Sequence, residues 1–509
     1  MMKKFGIVSF ILLLMVSLPL TAMAADPVKY SNQVDVNIKE SSSVYVSLKG
    51  SYQLVNLDTQ SIEILPVNTT VYGKKTSSGV QVDYQSKYQT SAKGFDIQEI
   101  PGNQKIAIFT LQSEMKKGAS SGYPTIKTFS AGDSATYIQS FTNSLGETWY
   151  NVTSGSSSGW VLGSTTQLQT ISGLSLVDAS DGRTYRGSFL FSPSGTNVKL
   201  INYLGMEDYL KGVLPNEMPA SWHTEALKAQ AIAARSYAYS TKSTLSNTVA
   251  SQVYKGYSSE DSRTNAAVEA TKDLKAVYGG KPIQTFFYST SGGKTANISD
   301  VWNTSQQPYY TSVADTYENS PHSNWTQSFT PNEILKSFGV TKADTVLYDM
   351  SLSKTGANGE VSGVTLTTSD GVITKTGNEN TIRKLFPISS SSSYGMIKSN
   401  WFDTSLTKSK NAFVVQTASG QSNISSAVAQ TVQTKSGQVT LSNPTYSIQT
   451  NSGVITSSGI TSVTDITLNG KGFGHRIGMS QYGAKGFAEN GWNAEKIITH
   501  YFQGSTVSK

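Results

Sequence analysis

The chain has 509 residues, with 41 Lys plus Arg against 34 Asp plus Glu, 15% charged residues, 43 glycines and no cysteine. That length holds two to four domains with sizeable cores, and a hydrophobic fraction of 37% is enough to exclude a wholly disordered chain. Without cysteine there is no disulfide, no thiolate nucleophile and no Cys-ligated zinc.

At the N-terminus, Lys3 and Lys4 precede an apolar run from Ile7 to Leu20, and Ala22-Met23-Ala24 supplies small residues for cleavage. About 14 apolar residues fall short of the roughly 20 that cross a bilayer, so residues 1–24 read as a cleaved signal peptide. The mature chain is expected to start near Ala25, to be secreted, and to keep no stable membrane insertion. It retains 39 basic and 34 acidic residues, a net charge of +5. Such a small and dispersed excess argues against a nucleic-acid partner.

Residues 25–110 read as a β-rich N-terminal region, because runs such as Val44-Tyr45-Val46-Ser47-Leu48 and Val80-Gln81-Val82-Asp83-Tyr84 alternate apolar and polar side chains. Residues 111–170 follow. There Trp149-Tyr150-Asn151-Val152 and Gly159-Trp160-Val161 flank a Gly/Ser turn and predict a hairpin.

Residues 171–509 form the third region, whose strongly helical stretch lies at 203–243. Met206, Tyr209, Leu210 and Val213 have helical spacing, and Pro215 is expected to close this first helix. Ser221 is the expected N-cap of the second helix. In it Leu227, Ala231, Ala234 and Ala238 form a stripe of mostly small side chains, Lys228, Arg235 and Lys242 lie on another face, and Ala226, Gln230, Ala233 and Tyr237 on a third. Strand patterns return at Ile283–Tyr288, Gly363–Thr367 and Gly371–Thr374. A polar insertion at about 403–463 reads either as a β subdomain or as a spacer, without a tandem repeat of fixed period. The last 45 residues turn glycine-rich and then helical. The expected fold class is α+β: a β-rich N-terminal region, then a mixed core with a helical segment around Glu217 and a polar β-type insertion.

Chemistry narrows from here. The four histidines, His223, His322, His475 and His500, include no His-Glu-x-x-His pair, which argues against a zinc hydrolase. The glycines around Phe473 do not open a βαβ unit, as a nucleotide fingerprint requires. No metal and no cofactor are therefore expected. Glu217 stands in a link bracketed by Pro215 and Pro219, a fixed position suited to a carboxylic acid that gives a proton to a glycosidic oxygen. Capping of the following helix accounts for the same position, and the helix's positive pole would favour the carboxylate. Gln230 and Arg235, polar groups on a small-residue helix, would orient Glu217 or hold a glycan unless they are only solvated.

Three blocks carry a resemblance. The first runs from Tyr209-Leu210-Lys211-Gly212-Val213-Leu214-Pro215-Asn216-Glu217-Met218-Pro219 through Trp222 to Ala238. The second is Phe287-Tyr288-Ser289-Thr290-Ser291-Gly292-Gly293-Lys294-Thr295 with Asp300-Val301-Trp302, and the third is Gly472-Phe473-Gly474-His475-Arg476-Ile477-Gly478-Met479-Ser480-Gln481-Tyr482-Gly483. From about residue 176 onward the chain resembles the SpoIID/LytB family. Its members include a sporulation lytic transglycosylase acting on peptide-stripped peptidoglycan glycan and an enhancer of a wall amidase.

The resemblance implies that Glu217 is the catalytic acid at the MurNAc–GlcNAc linkage. The same carboxylate would then take the proton of the sugar's C6 hydroxyl as a 1,6-anhydro end closes, in contrast to two-carboxylate glycosidases. It implies glycan contacts for Gln230, Arg235, Ser291, Gly292, Gly293, His475, Ser480 and Gln481. Ser291 to Gly293 also read as a simple turn, and His475 as a buried, satisfied histidine. Trp222, Trp302 and Tyr482 would stack on sugars or pack in the core. Peptidoglycan glycan strands and a cell-wall amidase are the implied partners, and the cell wall the implied location. The hairpin within 111–170 resembles part of a bacterial Src-homology-3-like wall-binding domain. Two departures stand out: Asn247 to Tyr254 lack the Cys/His zinc ligands of some relatives, and Arg476 stands where a glycine is usual.

Overall fold

The computed structural model describes residues 27–509 apart from 66–67, 102–104, 155–156, 171–172, 390–394, 411–412, 418–419, 425–430, 435, 442–445, 451–452 and 458–460. Between 410 and 460 side chains are described only at 420, 431–434 and 436–441. The signal-peptide expectation for residues 1–24 lies outside the described residues. The chain divides into two units, Met1–Val213 with Ser243–Glu260, and Leu214–Lys242 with Asp261–Lys509.

The first unit is built from strands whose alternation buries every second side chain, so that Val34, Val36 and Ile38, then Val44, Val46 and Leu48, all enter the core. One sheet runs in the order Leu245–Ser246, Val34–Ser41, Asn197–Leu204, Ser188–Ser194, Phe95–Glu99, Tyr52–Asn56, Ile62–Leu65. A second runs Thr184–Tyr185, Leu176–Ala179, Ser43–Lys49, Thr70–Thr76, Gly79–Tyr84, Lys87–Ser91. Strands from 176 to 204, grouped by sequence with the C-terminal core, are thus hydrogen-bonded into the N-terminal sheets.

A third sheet occupies Lys105–Thr170, its outer strand Thr166–Thr170 paired with Lys105–Phe109. It has its own core of Ala107, Phe109, Met115, Phe129, Ala135, Val152 and Val161. The expected hairpin forms, with Tyr150 opposite Val161 and Asn151 opposite Trp160. Trp149 is buried, and Trp160 is half-buried and edge-on to Phe141.

Helix α1 (Met206–Glu217) carries the chain from the first unit into the second, and α2 (Thr224–Ser240) follows. Pro215 does not close α1: it forfeits one ladder bond, yet the ladder resumes with Met218 N–H donating to the Leu214 carbonyl at 3.0 Å. Burial of Tyr209, Leu210, Val213, Leu214 and Met218 offsets that loss. The cap of α2 is His223 rather than Ser221, its ring nitrogen accepting from the Glu225 N–H at 3.2 Å.

Within the second unit α2 is the central helix. It packs on α3 (Ser262–Ala270), on the strand Lys275–Tyr278, and on the C-terminal pair α7 (Gln481–Glu489) and α8 (Ala494–Tyr501). The short helices α4 (Ile298–Val301), α5 (Pro331–Ser337) and α6 (Glu379–Lys384) lie between. The strands Leu347–Thr355, Glu360–Thr368 and Gly371–Thr376 form one sheet, and Asn324–Phe329, Thr461–Lys471 and Phe402–Lys410 another. Phe329, Leu347, Leu366, Phe386, Phe402 and Leu468 belong to a shared core beneath α5 and α6.

Strands run through the polar insertion. Phe402–Lys410 and Thr461–Lys471 pair antiparallel, and three hairpins lie between them: Phe413–Thr417 with Gly420–Ile424, Thr431–Thr434 with Gly437–Thr440, and Tyr446–Thr450 with Gly453–Ser457. The hairpins mark a repeat, since Val415-Gln416-Thr417, Val432-Gln433-Thr434 and Ile448-Gln449-Thr450 each lead through x-Ser to Gly420, Gly437 and Gly453. Spacings of 17 and then 16 residues hide it from a search for a fixed period.

Candidate functional site

The site residues gather in the second unit. Glu217, the last residue of α1, is half-buried, and the Gln481 side-chain N–H₂ lies 3.5 Å from its carboxylate. The end of α1 beside Glu217 is a negative helix pole, where the sequence suggested a positive one. Trp222 meets the ring of Tyr482 edge-on at 4.8 Å, with the Lys485 ammonium 5.8 Å from the indole. Glu225 fastens the start of α2, accepting from the Ala494 N–H and from Lys228, each at 2.8 Å.

Gln230 is fully buried, and among the described residues neither its carbonyl nor its amide has a hydrogen-bond partner. A buried amide in that state calls for water or a ligand group that the chain does not itself supply. Its helix stripe leads to Tyr237, which packs edge-on against Phe286 at 6.0 Å. Phe286 in turn meets Trp302 at 4.8 Å, and the His475 ring lies 5.2 Å from both Tyr288 and Trp302. Desolvation pushes the His475 imidazole down to about 4, so it is neutral at pH 7, its Nδ1 accepting from the Ile477 N–H at 3.1 Å. Such a ring can hold a tautomer and a hydrogen bond; it is not a general acid at neutral pH.

Arg235 bonds to the end of α3 and the segment after it. Only 1% exposed, it donates to the Val268 and Leu274 carbonyls, each at 3.2 Å, and to the Thr271 hydroxyl at 3.4 Å. These bonds fasten the end of α3 to α2. Ser480 and Ser291 are also fully buried. The Ser480 hydroxyl caps α7, accepting from the Gly483 N–H at 3.1 Å, and donates to Glu318 at 2.7 Å. The N–H groups of Ser291 and Gly292 donate to the same carboxylate at 2.6 and 2.8 Å. Gly292 has φ 79° and no room for a side chain, because an added Cβ would lie 2.8 Å from the Gly472 nitrogen. Gly293, exposed and with φ 103°, is the part of this turn that faces open space.

Arg476 accounts for its departure from glycine. It adopts φ 65°, is fully buried, and donates to the Ser291 carbonyl at 2.9 Å, the Lys294 carbonyl at 2.8 Å and the buried Glu360 carboxylate at 3.0 Å. Its guanidinium carbon stands 4.0 Å from the centre of the Trp401 ring.

Two acidic residues were missed by the sequence reading, Glu318 and Asp315. Asp315 is 3% exposed, accepts from the Tyr501 hydroxyl at 2.8 Å, and leaves its second oxygen without a partner among the described residues. Burial first, and then the charge of Glu318, push its carboxyl up to about 7. The signal available was an acidic pair three residues apart in a chain that is only 15% charged.

These shifts have opposite consequences for stability. Asp315, raised from 3.8, contributes stability that is complete below about pH 4 and lost as pH rises towards 7. His475, lowered from 6.5, contributes stability present above pH 6.5 and lost as pH falls towards 4. Asp315→Asn keeps an acceptor for Tyr501 and removes the first slope. Relative to wild type the variant should gain stability with rising pH between 4 and 7, by at most about 1.4 kcal/mol per pH unit. Denaturant unfolding at pH 4.5, 6 and 7.5 checks this, and a difference from wild type that does not change with pH counts against it.

Residues 194–278 match the family model described as SpoIID, stage II sporulation protein. The chain is 36% identical over 306 residues to a Bacillus subtilis protein named amidase enhancer, an alignment covering 59% of this chain and 40% of that one. A Brachyspira hyodysenteriae protein named only as uncharacterized is 38% identical over 162 residues, 30% of this chain and 44% of its own. Stage II sporulation protein D of Bacillus subtilis is 26% identical over 332 residues, covering 61% of this chain and 76% of the relative. The chain therefore spans less than half the length of the first two relatives.

Proposed function

We propose, from the premise that the chain carries a SpoIID-family domain at residues 194–278, that it is a secreted, wall-resident lytic transglycosylase. It would cleave the MurNAc–GlcNAc bond of peptidoglycan glycan, peptide-stripped strands above all, and leave 1,6-anhydroMurNAc ends. The observation that carries the reading is the half-buried Glu217 carboxylate with Gln481 beside it and the Trp222–Tyr482 pair next to Gln481. Neighbouring acid–base groups are less suited. His475 is neutral at pH 7, Asp315 is buried, and Glu318 already accepts three hydrogen bonds.

In this mechanism Glu217 gives its proton to the glycosidic oxygen as the C1–O bond breaks and the GlcNAc end leaves as an alcohol. The resulting carboxylate takes the proton of the C6 hydroxyl while that oxygen bonds to C1. The proton count closes without water, and Glu217 ends as it began. Gln481, donating to the carboxylate, would fix its orientation through both halves. Trp222 and Tyr482 supply flat apolar surface of the kind sugar rings pack on.

A second reading, a non-catalytic enhancer of a wall amidase, draws on the name of the Bacillus subtilis relative. Mass spectrometry of peptide-stripped glycan incubated with the purified protein separates the two. Anhydro-ended fragments are expected. Absence of fragments, together with a wall amidase accelerated equally well by wild type and by a Glu217 variant, would overturn the first reading in favour of the second.

A further inference from the structure

We propose that Glu318 is the positioning residue of this site: its one carboxylate ties the Ser291–Gly293 turn to the first turn of α7 and so sets where Gln481 meets Glu217. The inference rests on the reading of Glu217 as the reacting carboxylate, and it concerns a residue that none of the three sequence blocks contains.

Three donors converge on Glu318. The Ser291 N–H reaches one oxygen at 2.6 Å, the Gly292 N–H the other at 2.8 Å, and the Ser480 hydroxyl the first oxygen at 2.7 Å. Hydrogen bonds to an ionised acceptor are the stronger kind, and two consecutive amides in a turn form an anion-binding cradle. Here the anion belongs to the chain itself. The two segments also meet in a parallel strand pair of two residues each, Phe287–Tyr288 with Met479–Ser480, and through the Tyr482 N–H donating to the Ser289 carbonyl at 3.0 Å; Glu318 is the side-chain link that adds the Ser291–Gly292 amides to these.

From Ser480 the path to the reacting group is one residue long. Its hydroxyl, oriented by Glu318, accepts from the Gly483 N–H and so defines where α7 starts. Gln481 is the first residue of that helix and the group beside Glu217, and Tyr482, next along, packs on Trp222. The far side of the turn is held as well, since Arg476 donates to the Ser291 carbonyl. A carboxylate suits 318 because the three groups bonded to it are all donors, while Asp315 is the acidic neighbour whose carboxyl its charge pushes up. Glutamine, isosteric but with one end an N–H₂, must set a donor against a donor.

The test uses Glu318→Gln and Glu318→Asp beside wild type and Glu217→Gln. Release of anhydro ends from peptide-stripped glycan strands is followed by mass spectrometry, and the seven tryptophans are labelled as 5-fluorotryptophan for ¹⁹F NMR, with Trp222 assigned by Trp222→Phe. Glu318→Gln should lower kcat by about ten- to a hundredfold, leave KM within about threefold, and shift or broaden the Trp222 resonance while Trp149 and Trp160 stay put. Glu318→Asp, which keeps the charge, should recover part of both effects. If wild type releases no fragments, the reading of Glu217 falls, yet a displaced Trp222 resonance in Glu318→Gln still supports the positioning role. An unmoved Trp222 resonance overturns that role whatever the activity, and so does a loss confined to KM. Should Glu318→Gln fail to fold, Ser480→Ala with Ser480→Thr as its hydroxyl-keeping rescue puts the same link to the same readouts, and an unmoved resonance in Ser480→Ala is the overturning result.

Discussion

Glu217→Gln should abolish release of anhydro-ended fragments, with a fall in kcat of about 10²- to 10⁴-fold and little change in affinity for glycan. The substitution keeps size and shape but replaces the ionisable carboxyl by an amide that neither gives nor takes a proton at neutral pH, so both halves of the proposed reaction lose their proton carrier. Gln481 would still face an acceptor, since the new amide retains a carbonyl oxygen within reach of the same N–H₂. A melting temperature taken beside wild type separates lost chemistry from lost folding. Binding of peptide-stripped glycan by the variant and product analysis by mass spectrometry are the other two measurements needed. Unchanged release of fragments would remove Glu217 from the chemistry. Lost binding would instead make it a binding group, a result the mechanism does not allow.

What the sequence revealed of this site follows from what periodicity and motif order can carry. Glu217 and Gln481 lie far apart along the chain, and no local pattern pairs them; only the resemblance of three ordered blocks to one family put both among the candidate residues. The hairpin bearing Trp149 and Trp160 was legible locally, since alternation and a Gly/Ser turn specify it without distant partners. The burial of Arg235 was not legible for a physical reason. Sorting helix residues into faces assumes that one face meets water, but α2 packs against α3, α7, α8 and a strand at once, so Arg235 is as buried as the alanine stripe although Lys228 is half-buried and Lys242 exposed. The bonds of Ser480 and Ser291 were not legible because a serine that caps a helix or donates a turn amide looks the same in sequence as one that meets a ligand. Glu318 was missed because its role depends on a turn and a helix start nearly two hundred residues apart. The joining of strands 176–204 to the N-terminal sheets is non-local pairing, which no window of sequence reports.

Arg476→Gly, which restores the residue usual at this place in the family, should destabilise this protein by about 2–4 kcal/mol. Breaking a fully buried ion pair from one side costs about 3–5 kcal/mol, because the partner charge is left without compensation. Here the partner is Glu360, itself fully buried, with one oxygen shared by Asn358 at 2.9 Å and the other lacking a partner among the described residues. Two carbonyls, of Ser291 and Lys294, lose their guanidinium donors as well. Against this stands relief of the left-handed backbone at φ 65°, worth about 1 kcal/mol when glycine replaces a side-chain-bearing residue. The penalty wins. Arg476→Lys should fall between, keeping charge but not the three-way fork, and Glu360→Gln added to Arg476→Gly should recover part of the loss by removing the orphaned carboxylate. Denaturant unfolding of the four proteins measures all three terms, and a loss under about 0.5 kcal/mol in Arg476→Gly would mean that the pair is replaced by water at no net cost. Since Arg476 holds the carbonyl side of the turn whose amide side holds Glu318, the glycine variant should also loosen α7. In a chain built this way the arginine is the second half of the clamp that places Gln481.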